Sequence, residues 1–284
     1  MNIVRETVTS AQNKYVSLAR SLAAKKAREK EKRFRFDGVK LMCEAVKQGV
    51  NIELALVAES ELSSVVQKAE KLYGIKDNEL NFPVIRVADH LFERLSEEQA
   101  PEGVICIAEY MSELHSDICE GDVERMDRGE RILLLESVRD PANVGAIVRV
   151  AAAFGVDRLI ISSDCADIYN SKTLRASMGT LFSTRVDRAD DLTAVVGELC
   201  ASGRRVFAAA LNRSAHVLGE LEIVDGDCVI IGNEGHGLSN EIIEACTGSV
   251  FIPMSAQVES LNAATAAAVL VWEFFGSANG RRAL

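Results

Sequence analysis

Three short stretches of this 284-residue chain carry polar side chains at spacings that could do chemistry. The first is Asp140-Pro141-Ala142-Asn143-Val144-Gly145-Ala146-Ile147-Val148-Arg149, directly after an apolar run. Asp140 and Pro141 make a turn, and Asn143 stands where it can cap or enter the next helix. Six residues separate Asn143 from Arg149, so a helix brings them to one face only imperfectly and a loop must carry Asn143 round. Read alone, the pair is equally a capping Asn and a surface Arg. The second stretch is Gly232-Asn233-Glu234-Gly235-His236-Gly237-Leu238, after CVII. Glycines behind a strand let the backbone come close to a ligand. Their spacing is neither the dinucleotide fingerprint nor a phosphate-binding P-loop. Glu234 puts a negative charge in that loop, which favours a ligand with hydroxyls or positive charge over one with phosphates. A plain turn before a helix is the alternative, and His236 is given no role. The third is Ile252-Pro253-Met254, followed by Glu259-Ser260-Leu261-Asn262. Pro253 closes a strand because it has no N–H for the ladder. Ile252 and Leu261 could sandwich an adenine while backbone groups read its edge. Ser260 and Asn262 are equally caps of the alanine-rich last helix.

Those stretches must be positioned by strands and helices. In the second half RILLLESV, RLIISS, RVFAAAL, CVIIGN and VFIPM are apolar along their whole length. That pattern predicts a parallel sheet covered on both faces, with helices drawn from 143–154, 189–202 and 238–246. Ligand loops then lie at the carboxyl ends of the strands. In the first half, residues 9–32 predict one helix capped by Ser10, and RFRFDG a half-exposed strand. VKLMCEAVKQG and LSSVVQKAEKLYG read as helices, with ELALVAES, PVIRVA and GVICIAEY as strands. The expectation is a small α/β domain over 1–110, a polar linker over 111–129, and a catalytic α/β domain over 130–284.

Composition narrows the function. With 48% hydrophobic and 5% aromatic residues, the core is aliphatic. No apolar run approaches the roughly 18–20 residues that span a bilayer, and the amino terminus has no signal pattern. The expected location is the cytoplasm. Seven cysteines form no Cys-x-x-Cys pair and four histidines are scattered. Reduced thiols and no metal centre are expected. The net charge is −10, yet residues 1–40 hold eleven Lys/Arg against four Asp/Glu, a net of +7. A basic arm on an acidic body suits local contact with nucleic-acid phosphates. A solvated charged helix is the plain alternative.

The three motifs, in this order and each behind a strand, resemble those of the SpoU (TrmH-like) family of RNA 2′-O-ribose methyltransferases. The segment NSKTLRASMGTLF between the first two motifs is similar as well, and the amino-terminal part resembles the family's ribosomal-protein-like RNA-binding domain. The resemblance implies S-adenosylmethionine as methyl donor, a deep trefoil knot in the carboxyl-terminal parallel-sheet domain, and a homodimer. By position, Leu211, Gly232, Ile252, Met254 and Leu261 are implied to bind the methyl donor. Asn143, Arg149, Glu234, Ser260 and Asn262 fall on catalytic and RNA-facing positions. Ribosomal RNA is the expected substrate, because many tRNA-specific relatives carry short helical extensions in place of this domain. Transfer RNA is the alternative. A non-catalytic RNA-binding or ribosome-assembly protein is the reading of another class.

Overall fold

A computed structural model describes residues 2–119, 121–212, 214–255, 257–258 and 260–276. The chain forms two compact units. One comprises residues up to 111 together with 167–183, and the other 112–166 together with 184 onward.

The first unit runs β1 (Asn2–Val8), α1 (Lys14–Ser21), α2 (Lys25–Glu31), β2 (Arg33–Asp37), α3 (Val39–Lys47), β3 (Ile52–Ala58), α4 (Leu62–Tyr73), β4 (Pro83–Val87), α5 (Asp89–Leu95) and β5 (Val104–Glu109). Its sheet has the order β1-β4-β3-β5-β2. Strands β1, β4 and β3 run parallel, and β5 is antiparallel to both β3 and β2. Leu54, Leu56, Ile85, Ile105 and Ile107 pack one face against Leu91, Phe92 and Leu95 of α5 and Val16, Ala19 and Leu22 beside α1.

Two expectations are corrected here. The single helix over 9–32 is two helices, and Asn13, not Ser10, caps the first by accepting from the Tyr15 N–H at 2.9 Å. The break has a visible cause. Buried Arg28 turns back and donates to the carbonyls of Leu22 and Ala23, both at 2.8 Å, so these groups need no continuing helix. Strand β2 is buried almost throughout rather than half-exposed. Arg35 is enclosed because Ala19 O and Glu97 Oε1 accept from it at 3.0 and 2.8 Å.

The second unit runs β6 (His115–Ile118), β7 (Ile132–Leu135), α6 (Pro141–Ala153) and β8 (Arg158–Ser162). The chain then makes the 167–183 excursion into the first unit, where it forms α7 (Ser171–Ser177). Arg28 holds Asp167 there at 2.6 Å, Tyr169 stacks on Tyr110, and Phe182 packs against Phe36. A Cβ on Gly179 would sit 2.8 Å from that of Glu44, so only glycine allows this approach. The expected continuous domain from residue 130 onward is interrupted by this excursion.

The second unit resumes with β9 (Arg185–Ala189), α8 (Leu192–Ala201), β10 (Val206–Ala209), β11 (His216–Val217), β12 (Cys228–Ile231), α9 (Asn240–Ala245), β13 (Gly248–Phe251) and α10 (Ala263–Val271). Its sheet has the order β11-β13-β10-β12-β7-β8-β9-β6, and every neighbouring pair is parallel. Ile132, Leu134, Ile160 and Ile230 meet α8 and α9 on one face. Leu133, Leu135, Val229 and Ile231 alternate to the other face and are buried too, so both faces are covered. Helix α10 packs against α6. Part of the expected linker, 111–129, is strand β6 at the edge of this sheet, paired with β9. Only Ile118 of its four residues is buried, which left no apolar pattern to read.

Candidate active site

In a parallel sheet all carboxyl ends lie along one edge. Strands β13, β10 and β12 are adjacent, with Ala208 opposite both Ser249 and Ile230. Leu211, Gly232 and Ile252 therefore leave neighbouring strands close together. Next to β12, strand β7 is followed by Glu136-Ser137 and leads into α6. Asp140 caps α6 by accepting from the Ala142 N–H at 2.9 Å, and Pro141 occupies its first turn.

Asn143 is the third residue of α6, so no loop carries it round as expected. It is buried, and both ends of its amide are used. Its Nδ2 donates to Glu234 Oε1 at 2.5 Å, and its Oδ1 accepts from Asn262 Nδ2 at 2.9 Å. Three residues from three separate motifs thus meet in one chain of hydrogen bonds. Asn262 also caps α10, its Oδ1 accepting from the N–H groups of Ala264 and Thr265 at 2.9 and 3.3 Å. Cap and contact with Asn143 coexist because an amide offers both donor and acceptor.

Arg149 does not join this triad. It lies six residues further along α6, roughly 120° round the helix, and is exposed. It makes no hydrogen bond or ion pair with another described residue. Ser260 is exposed and likewise makes no hydrogen bond with another described residue. Glu259 lies outside the described residues.

The glycine loop folds on itself. A Cβ on Gly232 would come 2.4 Å from the carbonyl carbon of Gly237, which excludes any side chain there. Asn233 and Gly237 exchange two backbone hydrogen bonds, at 3.0 and 2.9 Å. Around this loop the sheet edge is apolar and open. Leu211 is 80% exposed and Met254 44%, while Ile252 and Leu261 are half-buried. Large apolar side chains left bare beside a polar triad fit a ligand with a flat apolar part.

Sequence reasoning gave no role to Asn233, Glu136 or Ser239. Asn233 Nδ2 donates to the Ser137 carbonyl at 2.8 Å, and its Oδ1 accepts from the N–H groups of Gly235 and His236. Glu136 accepts from the N–H and Oγ of Ser239 at 2.8 and 2.6 Å, holding the far end of the loop. The signal for Glu136 was an acid at the end of an otherwise apolar strand. Among the described residues no three His, Cys, Asp or Glu side chains gather as a metal site would require.

Comparison with known proteins covers nearly the whole chain. The model of the SpoU rRNA Methylase family matches residues 130–272, and that of the MRM3-like substrate binding domain matches 13–106. The 23S rRNA (guanosine(2553)-2'-O)-methyltransferase RlmP of Bacillus subtilis is 30% identical over 270 residues, 95% of this chain and 99% of that protein. The 23S rRNA (uridine(2479)-2'-O)-methyltransferase of Streptomyces viridochromogenes is 31% identical over 195 residues, 65% of this chain and 64% of that protein. Among solved structures, an RNA 2′-O ribose methyltransferase superposes with a TM-score of 0.79 at 25% identity, covering 98% of this chain and all of that one. The SpoU methyltransferase AviRb from S. viridochromogenes in complex with AdoMet gives 0.75 at 25% identity, covering 94% of this chain and 100% of that one.

Proposed function

The chain belongs to the SpoU rRNA methylase family, and from that premise we propose that it transfers a methyl group from S-adenosylmethionine to a ribose 2′-hydroxyl of ribosomal RNA. The observation that carries this reading is the Asn143–Glu234–Asn262 triad beside an open apolar strand edge. Leu211, Met254, Ile252 and Leu261 would hold the adenosine part of the methyl donor, with Gly232 giving it close backbone approach. When bound, that donor supplies an electrophilic sulfonium methyl.

The side chains do the rest. Asn143 holds Glu234 by one oxygen, and the carboxylate keeps its other oxygen to accept from the substrate hydroxyl. Asn262 fixes the amide of Asn143, so the triad enters the reaction already oriented. Arg149 is proposed to clamp the neighbouring phosphate and polarise the hydroxyl. A guanidinium holds its proton at any ordinary pH, so a role as base is not assigned to it. Ser260 is proposed to face the RNA.

In this proposal residues up to 110, with the 167–183 excursion, bind RNA, and the unit from 130 onward holds the chemistry. Lys14, Arg20, Lys25, Lys26, Lys30 and Lys32 are exposed and can meet phosphates. The carboxyl-terminal unit is proposed to carry the family's trefoil knot. The return of the chain from β13 to α10, packed on α6, supports it. A homodimer is proposed through α10 and the residue that follows it, where Val269 is 37% and Trp272 51% exposed. A Trp272→Glu chain should then sediment as a monomer. A cytoplasmic location goes with the ribosomal RNA substrate.

The deciding experiment is transfer of labelled methyl from S-adenosylmethionine to ribosomal RNA lacking the mark, with tRNA in parallel and the labelled nucleotide mapped. A 2′-O-methyl label at one ribosomal position, lost with Asn143→Ala, is expected. Label on tRNA alone would overturn the ribosomal assignment. Failure to bind the methyl donor would overturn the enzymatic one.

A further inference from the structure

The glycine loop is gripped by a cluster that the methyl-transfer reading does not use. Ser137, two residues after β7, has φ +54°, in the left-handed region that side chains rarely adopt. Its N–H donates to Ser162 Oγ at 2.8 Å, and its Oγ donates to Asp164 Oδ2 at 2.6 Å. Ser162 Oγ donates in turn to Asp164 Oδ1 at 2.6 Å, and Arg139 reaches Asp164 Oδ2 at 3.0 Å. Asp164 thus collects donors on both oxygens and holds Ser137 on two sides.

The turned backbone of Ser137 aims its carbonyl at Asn233 Nδ2, 2.8 Å away. That bond decides which way the Asn233 amide points. With Nδ2 committed to Ser137, Oδ1 faces the loop and accepts from Gly235 N–H at 2.8 Å and His236 N–H at 3.2 Å. The reverse orientation would set oxygen against the Ser137 carbonyl and two donors against two donors. Glu234, the loop's member of the triad, sits between the residues so fixed.

We infer that Asp164 is a positioning residue for the glycine loop, acting through the left-handed backbone of Ser137 and the amide of Asn233. It acts on the site without touching substrate. The inference rests on the methyl-transfer reading for its consequence, and on the hydrogen bonds alone for its geometry. Burial pushes the Asp164 carboxyl up, but the hydrogen bonds from Ser137, Ser162 and Arg139 outweigh it and hold it at about 2. The clamp is therefore charged wherever the protein works.

Glycine adopts this backbone without any clamp, which makes a rescue test available in the full chain. Asp164→Ala is expected to weaken binding of S-adenosylhomocysteine, read by calorimetry, by about tenfold. The amides of Gly235 and His236 should also exchange their hydrogens faster. Adding Ser137→Gly should bring binding back to within about threefold of wild type and restore the slow exchange. Asp164→Asn keeps the shape and should shift both readouts the same way by less, which covers the case where the alanine chain does not fold. Unchanged binding and exchange in Asp164→Ala would overturn the inference, and so would a double variant as impaired as the single one. Should the wild type bind no S-adenosylhomocysteine, the methyl-transfer reading falls, while the exchange of Gly235 and His236 still judges the role of Asp164.

Discussion

At the residue scale, Asn143 has the most dependent on it, since a single amide joins Glu234 to Asn262. Asn143→Ala should lower the rate of methyl transfer by about a hundredfold while changing methyl-donor affinity little, as read by kcat against KM. Asn143→Asp should do more damage at pH 8, because two carboxylates would then meet where an amide and a carboxylate do now. Its activity should recover in part as acid protonates the pair. Thiol chemistry gives a second prediction. Burial pushes the Cys43 and Cys246 thiols up to about 12 and Cys228 to about 11, and raises Cys106 and Cys165 as well. Cys119 alone of the seven is exposed. One thiol per chain should therefore react quickly with a thiol reagent at pH 8, all seven should react in denaturant, and Cys119→Ser should remove the quick one. A third concerns Asp164. Its folded pKa lies below the ordinary carboxylate value, so its contribution is complete above that value and is lost as the pH falls toward about 2. Asp164→Asn should be less stable than wild type at pH 7 and equally stable near pH 2, in paired urea titrations.

At the element scale, β8 and β9 are tied by ions inside the second unit. Arg158 pairs with Asp187 across the two strands and with Glu130 at 2.8 Å, and Asp187 is 1% exposed. Ser116 of edge strand β6 donates to the same Asp187 at 2.6 Å, so the cluster also secures the sheet's polar edge. Removing Arg158 leaves the buried Asp187 with only Ser116 and the half-exposed Arg185, at 3.3 Å, as side-chain partners among the described residues. Arg158→Ala should cost about 3–5 kcal/mol in urea unfolding, and Arg158→Met with Asp187→Leu clearly less. These elements differ in how legible they were. The five apolar strands of the second half stood out because a strand buried on both faces is apolar throughout. Strands β6 and β9 did not, since HSDI and RVDRA carry ionic and hydroxyl side chains in place of a continuous apolar run. The split between α1 and α2 was equally hidden, because the buried place of Arg28 depends on the Leu22 and Ala23 carbonyls together with Asp167, which lies far off in sequence.

At the scale of the whole molecule, charge is divided rather than averaged. An acidic chain of net −10 carries exposed Lys14, Arg20, Lys25, Lys26, Lys30 and Lys32 on its first two helices and the turn after them. Buried Arg28 and Arg35 belong to the same basic stretch but serve the fold. Replacing Lys25, Lys26 and Lys30 together by alanine should weaken RNA binding about tenfold and reduce the slope of log affinity against log salt by about 2–3. S-adenosylhomocysteine affinity should stay unchanged. Replacing Arg28 should instead lower the melting temperature.

The sequence by itself determined the α/β class, the parallel character of the second sheet and the three motifs at its carboxyl edge. Those are properties of local runs, because burial on two faces and the conformational needs of glycine and proline are written in neighbouring residues. Joint appearance of the motifs also carried the family. Only the tertiary structure decided that Asn143, Glu234 and Asn262 form one hydrogen-bonded chain while Arg149 stands apart. It alone brought residues 167–183 into the first unit and set Asp164 beneath Ser137. The reason is physical: a hydrogen bond between residues 91 or 119 positions apart leaves no periodicity behind, and it exists only where the packing of strands has brought the two side chains together.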